Sequence, residues 1–363
     1  MSTFIPPARP LIGDEERAAV DRVLRGGSLA QGVEVESFED EFSAALVGGR
    51  RCVALNSGTA GAHLGLLASG IGIGDQVIVP SFTFAATGNA VALTGATPVF
   101  VDIEADSFCM DPAAVEAAIT PRTAGIMPVH LYGHPADMTA LGVIAERNGL
   151  AVFEDAAQAH GAAIAGRPVG TFGRFAMFSL YPTKNMTSGE GGMDACADAD
   201  VERRLRLLRN QGMERRYENE LIGFNARMTD IHAAIGREQL KKLSGWTSMR
   251  RANAAFFDAN LSGVVVPPVT AGATHVYHQY TVRIPACRDD VARVMTEKYG
   301  VGSGVYYPKP THSLPSFGLT LDLPETTRAA GEVLSLPVHP GLSNDDRERV
   351  VDAVNASVKW VLG

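Results

Sequence analysis

Between residues 51 and 196 the chain alternates short apolar runs with helical patterns, and glycine or proline stands beside most of the joins. Few folds tolerate that rhythm. Apolar runs without polar alternation are strands buried on both faces, and helices between them carry the chain back to start the next strand in parallel. The runs at 51–55, 76–79, 98–103, 124–129, 150–154, 175–180 and 192–196 are therefore predicted as seven strands of a mostly parallel sheet. Helices are expected over 60–68, 85–93, 111–119 and 137–147. Asp111-Pro112 supplies a cap and a first-turn proline for the third of them.

Outside this block the pattern is mainly helical. Residues 11–25, stopped by Gly26-Gly27, and 33–46 read as helices, as do 200–209, 229–243 and 249–261. The Pro267-Pro268 break follows. Beyond it a smaller α+β unit is expected, with strands at 278–284 and 301–307 and helices at 289–299, 326–334 and 344–360. The expected division is a large domain, 1–248 with an N-terminal arm, and a small C-terminal domain, 249–363.

Composition removes several function classes. A net charge of −8 over 363 residues does not favour nucleic acid as a partner. No apolar run reaches the roughly 18 residues of a membrane span, and residues 1–10 lack the apolar core of a secretory signal. Cys52, Cys109, Cys196 and Cys287 are scattered without metal-ligand spacing, so no metal site is expected and a reducing cytoplasm is the simplest compartment.

The chemistry centres on Lys184. The run 175–180 is stopped by Pro182, which leaves the lysine on a loop just past a strand end. Ligands of open α/β sheets bind outside the carboxyl ends of strands. Alone, such a lysine reads as a solvated surface residue; three neighbours in the pattern change that. Ser57-Gly58-Thr59 lies between a strand and a helix, where unpaired N–H groups and the dipole suit a phosphate, though a plain helix cap would look the same. Asp155 ends the strand 150–154, with Glu154 directed to the opposite face. It suits a ring nitrogen, a ribose or the cap of a following helix. Ser179, just before the lysine loop, adds a hydroxyl. A lysine amine, a strand-end carboxylate and a phosphate-type helix start are the parts needed to hold pyridoxal 5'-phosphate (PLP). The acid keeps the ring nitrogen protonated and the amine attacks the aldehyde.

The ordered set of motifs resembles the DegT/DnrJ/EryC1/StrS aminotransferases, PLP enzymes of aspartate-aminotransferase-like fold type I. The resemblance runs through Ser57-Gly-Thr59, Pro80-Ser-Phe-Thr-Phe-Ala-Ala-Thr87, Pro128-Val-His-Leu-Tyr-Gly133, Glu154-Asp-Ala-Ala-Gln158, Tyr181-Pro-Thr-Lys-Asn185, Gly189-Glu-Gly-Gly192, Asn225-Ala-Arg227 and Tyr306-Tyr-Pro308. It implies Lys184 as the Schiff-base lysine and proton shuttle, and Asp155 as partner of the pyridine nitrogen. Gln158 would stand near the ring's phenolic oxygen, Ser57, Gly58, Thr59 and Ser179 around the phosphate, and Phe84 over the ring. Asn225 would reach the cofactor of a neighbouring subunit, so a homodimer with shared sites is expected. Arg227, Tyr307 and His312 are the implied substrate contacts; His130 and His160 read as structural.

The implied reaction moves the amino group of L-glutamate, or glutamine, to a keto carbon of a dTDP- or UDP-linked deoxysugar, with C4 expected ahead of C3. Deoxysugar dehydratases on this fold carry histidine where Lys184 stands. A cyclitol aminotransferase and a non-catalytic sensor on the same fold are the remaining alternatives.

Overall fold

The computed structural model describes residues 4–363. Helices α1 (Asp14–Gly26) and α2 (Val33–Leu46) lead into strand β1 (Arg51–Leu55). Then come α3 (Gly58–Ala68), β2 (Gln76–Pro80), α4 (Ala86–Leu93), β3 (Thr97–Val101), α5 (Pro112–Ala117), β4 (Thr123–Ile126), α6 (Met138–Asn148) and β5 (Ala151–Asp155). Two short strands, β6 (Ala163–Ile164) and β7 (Arg167–Pro168), precede β8 (Phe175–Ser179), β9 (Gly192–Cys196) and α7 (Ala199–Arg209). An exposed hairpin, β10 (Met213–Arg215) with β11 (Glu218–Asn219), leads to α8 (Asp230–Asn260).

The central sheet has seven strands in the order β1-β9-β8-β5-β4-β2-β3. Only β9 runs against the rest, pairing antiparallel with β1 and β8. This is the mostly parallel α/β architecture the apolar runs predicted. Side-chain caps set several helix starts. Ser57, Asp111, Asp137, Asp198 and Thr229 each accept a backbone N–H of the first turn, satisfying donors the helix itself leaves open. One apolar layer joins Val53, Leu64, Phe153, Phe175 and Met177; the layer on the opposite face joins Phe38, Phe42, Ala54, Phe178 and Met193.

The C-terminal part contains β12 (Ala273–Thr274), which pairs with β6, then β13 (Tyr280–Arg283) and α9 (Arg288–Tyr299). It ends with α10 (Pro324–Glu332), β14 (Val333–Leu336) and α11 (Asn344–Leu362). Its own core gathers Phe257, Tyr280, Val282, Leu334 and Val354.

Four expectations change. The helices read at 229–243 and 249–261 are one 31-residue helix, α8, because Gly245 inside it is tolerated rather than used as a stop. Leu243 on α8 packs in the core beside the central sheet and Ala254 in the C-terminal core, so the helix joins the two. Residues 301–307 make only single bridges, Val301 to Ile5 and Gly304 to Ser335, because the chain turns away to bring Tyr306 and Tyr307 to the central cavity. The ladder partner of β13 is β14, whose first two residues, Val333 and Leu334, read from sequence as the end of a helix. Ile5, expected in an arm of the N-terminal part, is instead buried in the C-terminal core and bridges Val301.

Candidate active site

A cavity of about 560 Å³ opens at the carboxyl ends of β5 and β8, between the two cores. Ser57, Gly58, Thr59, Phe84, Asp155, Gln158, Ser179, Lys184 and Tyr307 all line it. Nine of the predicted residues, drawn from five separate stretches of chain, therefore converge.

The β1–α3 turn forms one wall. Ser57 Oγ accepts the Ala60 N–H at 3.1 Å, so the serine does cap the helix, and its own O–H remains free to donate. Gly58 is packed against β8: a Cβ there would lie 2.9 Å from Met177 Sδ and 3.0 Å from Ser179 Cβ. Behind the turn, a Cβ on Gly192 would meet the Ser57 carbonyl oxygen at 2.5 Å. This close packing holds the α3 N-terminus at the cavity, where its N–H groups suit an anion.

Adjacent carboxylates at the end of β5 have opposite surroundings. Asp155 accepts the Thr87 hydroxyl at 2.8 Å and the Ala157 N–H at 3.1 Å, and it lines the cavity. Burial raises its pKa, against the hydrogen bonds from Thr87 and Ala157 and the charge of Lys184. Glu154, on the other face, accepts N–H groups of Gly170, Phe172 and Gly173 at 2.7–2.8 Å and faces His130 Nε2 at 3.3 Å. Burial opposes its charge, but His130 and those N–H groups win and hold its pKa below the ordinary value. His130 also accepts the Ala136 N–H at 3.0 Å, the structural role its sequence context suggested. His160 is fully buried against Phe42 and Phe178, and burial followed by Lys184 lowers its pKa to about 3.

The loop bearing Lys184 is tied down on both sides. Its backbone N–H donates to Tyr181 O at 3.0 Å; Thr187 Oγ1 donates to Leu180 O at 2.8 Å, and Asn185 Nδ2 to Val276 O at 3.0 Å. Burial pushes the Lys184 amine down to about 8, against the pull of Asp155. About a tenth is thus the neutral, nucleophilic form at pH 7, far more than for an ordinary lysine.

Gln158 has its amide orientation set by the backbone. Its Oε1 accepts the Tyr132 N–H at 2.7 Å, so Nε2 is the donor, and it reaches Tyr307 Oη at 2.8 Å. Tyr132 presents that N–H from a left-handed conformation, φ 57°. Phe84 is 61 % exposed at the cavity edge, tilted against Tyr307 with centroids 6.3 Å apart.

Three predicted residues lie outside the cavity lining of a single chain. Asn225 is exposed, paired through its backbone with Asn210. Arg227 donates to Asn210 Oδ1 at 2.8 Å. His312, expected to face substrate, is 4 % exposed and its Nδ1 lies 2.7 Å from Ser81 Oγ. Conversely, sequence reading missed Thr87, which holds Asp155, and His278, which lines the cavity. Thr87 stood inside a quoted motif; His278 sits in an apolar run, Val276-Tyr-His-Gln-Tyr280, with nothing to mark it.

The donor set fits PLP. Hydroxyls and helix N–H groups would hold its phosphate, Asp155 would keep its ring nitrogen protonated, and Lys184 would meet its aldehyde. When bound, the group supplies an electron sink; the chain supplies orientation and a lysine able to give and take a proton. Fold and site together define a PLP-dependent aminotransferase of fold type I.

Comparison with known proteins agrees. Residues 10–355 match the DegT/DnrJ/EryC1/StrS aminotransferase family, and the chain belongs to it. It is 44 % identical over 348 residues to dTDP-3-amino-3,4,6-trideoxy-alpha-D-glucose transaminase of Streptomyces venezuelae, covering 94 % of this chain and 91 % of that protein. It is 40 % identical to UDP-N-acetyl-3-dehydro-alpha-D-glucosamine 3-aminotransferase of Acidithiobacillus ferrooxidans, covering 95 % and 94 %. The X-ray structure of S. venezuelae DesV superposes with a TM-score of 0.91 at 42 % identity, covering 95 % of each chain. Among the described residues no helix is long and apolar enough to cross a membrane.

Proposed function

We propose that this aminotransferase carries the amino group of L-glutamate, or glutamine, to a keto carbon of a dTDP- or UDP-linked deoxysugar. The convergence of Lys184, Asp155 and the Ser57–Thr59 helix start in one cavity carries the reading. The two curated relatives named above act, by their names, on 3-amino or 3-keto sugars. Those names favour C3 over the C4 position expected first from sequence. Lys184 is the amine that meets the cofactor and afterwards moves the proton. Ser57, Gly58, Thr59 and Ser179 hold the phosphate.

The functional unit in this reading is a homodimer. Among the described residues Lys184 is the one Lys or Arg side chain lining the cavity, too little for a cofactor phosphate, a nucleotide diphosphate and an amino-acid carboxylate. Asn225 at the surface, with Arg227 near it, would serve a second copy in this reading. Exposed Tyr217 (80 %) and Ile222 (93 %) provide apolar area for the contact. The test is turnover of dTDP- and UDP-linked 3-keto and 4-keto sugars with glutamate, followed by 2-oxoglutarate release and NMR placement of the new amine. Turnover of the 3-keto substrate with the amine on C3 is expected. Absence of amine transfer to any of these sugars would overturn the reading.

A further inference from the structure

His278 is 5 % exposed, lines the same cavity as Lys184, and has no hydrogen-bond partner for its buried Nδ1. The backbone of the segment around it, residues 276–279, is held from three directions. Asn185, next to the lysine, donates to Val276 O at 3.0 Å. The Gln279 N–H donates to Tyr132 O at 3.1 Å, and Tyr132 in turn fixes Gln158. From behind, Arg250 on α8 donates Nη1 to the carbonyls of Tyr277 at 3.1 Å and His278 at 3.4 Å. Arg250 is itself 6 % exposed, makes no salt bridge among the described residues and leaves its Nε unpaired. A buried guanidinium without a carboxylate is costly, and here it grips two carbonyls that aim one imidazole.

This setting decides the state of the ring. Burial is the largest influence, followed by Lys184, Arg250, His160 and His275, all cationic or potentially so, while the carboxyl groups of Asp155 and Glu190 also line the cavity. Burial and these cations disfavour imidazolium, so His278 is neutral. A neutral imidazole carries one hydrogen. Placing it on Nδ1 would bury an unpaired N–H, whereas placing it on Nε2 leaves only an unpaired acceptor there, the cheaper outcome.

We propose that His278 is a substrate-contacting residue, a neutral imidazole that presents Nε2–H to a carbonyl or carboxylate oxygen of the substrate on the side of the cavity where Lys184 moves its proton. A neutral imidazole polarises a carbonyl without losing its own proton, and here it leaves the lysine as the proton carrier. No atom is transferred from the ring. The proposal rests on the reading of Lys184 as the reacting amine, and it makes Arg250 a positioning residue.

The test pairs 15N NMR of histidine-labelled holoenzyme with kinetics. The His278 resonances should report a neutral ring with hydrogen on Nε2 across about pH 5 to 8, where an unperturbed histidine would titrate. Imidazolium in that range, or hydrogen on Nδ1, would overturn the proposal even if every variant misfolded. In kinetics, His278→Leu should lower kcat by roughly 10²-fold, the usual loss for one donor at a reacting oxygen, and His278→Gln should recover most of it. Full turnover in His278→Leu would also overturn it. Borohydride fixation of PLP separates the two readings: failure to fix it on Lys184 in the wild type counts against the lysine, whereas unchanged turnover in His278→Leu with fixation intact counts against His278 alone.

Discussion

The two faces of the sheet at the end of β5 differ by one residue in sequence and by almost everything in environment. On one face Glu154 accepts three backbone N–H groups and lies against His130. On the other, Asp155 accepts only Thr87 and Ala157 and looks into the cavity. Both are buried carboxylates. The first is paired so fully that its charge is held to acid pH, and it serves to pin the 170–173 turn. The second keeps spare lone pairs and a raised pKa, a group awaiting a cationic partner. Burial alone does not separate a structural acid from a functional one; unused hydrogen-bonding capacity facing open volume does.

The sharpest break to try lies on the cavity face. Lys184→Ala is expected to lower transamination by about 10⁴-fold or more with little change in melting temperature, measured by 2-oxoglutarate release and calorimetry. Next, on the opposite face, Glu154→Ala should destabilise folding by about 3–5 kcal/mol, because it strands three N–H groups and His130. Turnover per folded molecule should stay within about twofold, and a large kcat loss at unchanged stability would erase the distinction between the faces. Asp155→Asn should do the reverse: kcat falls by roughly 10²–10³-fold while denaturant midpoints barely move.

Smaller effects follow with pH. Glu154 has a folded pKa below its unfolded value, so its stabilisation is complete above about pH 4.5 and disappears as pH falls through the lowered value. An acid unfolding curve of Glu154→Gln should therefore be flatter than that of wild type. For the apoprotein, acylation of Lys184 by a limiting amine reagent should rise through about pH 8 rather than near 10.5. A midpoint near the ordinary lysine value would mean the amine is solvated.

Much of this was legible beforehand. The seven strands could be read because each is an apolar run with a turn residue at its end, and β5 and β8 placed Asp155 and Lys184 at strand ends directly. The chain's interior polar contacts were not. Nothing in Val276-Tyr-His-Gln-Tyr280 marks His278, because the burial that lowers its pKa, and the charges of Lys184 and Arg250 that add to it, come from distant stretches. The strand at 333–336 hid behind helix α10, since a four-residue apolar run fits either element until its partner β13 is known. His312 drew attention as a histidine in a substrate-side segment, yet its ring is turned inward to Ser81.

The most direct test of the central claim is chemical. Borohydride reduction of the PLP-loaded protein, followed by proteolysis and mass mapping, should place the cofactor's mass on the peptide containing Lys184. Its appearance on Lys309 or any other lysine, or on none, would contradict the assignment of this cavity as the catalytic one.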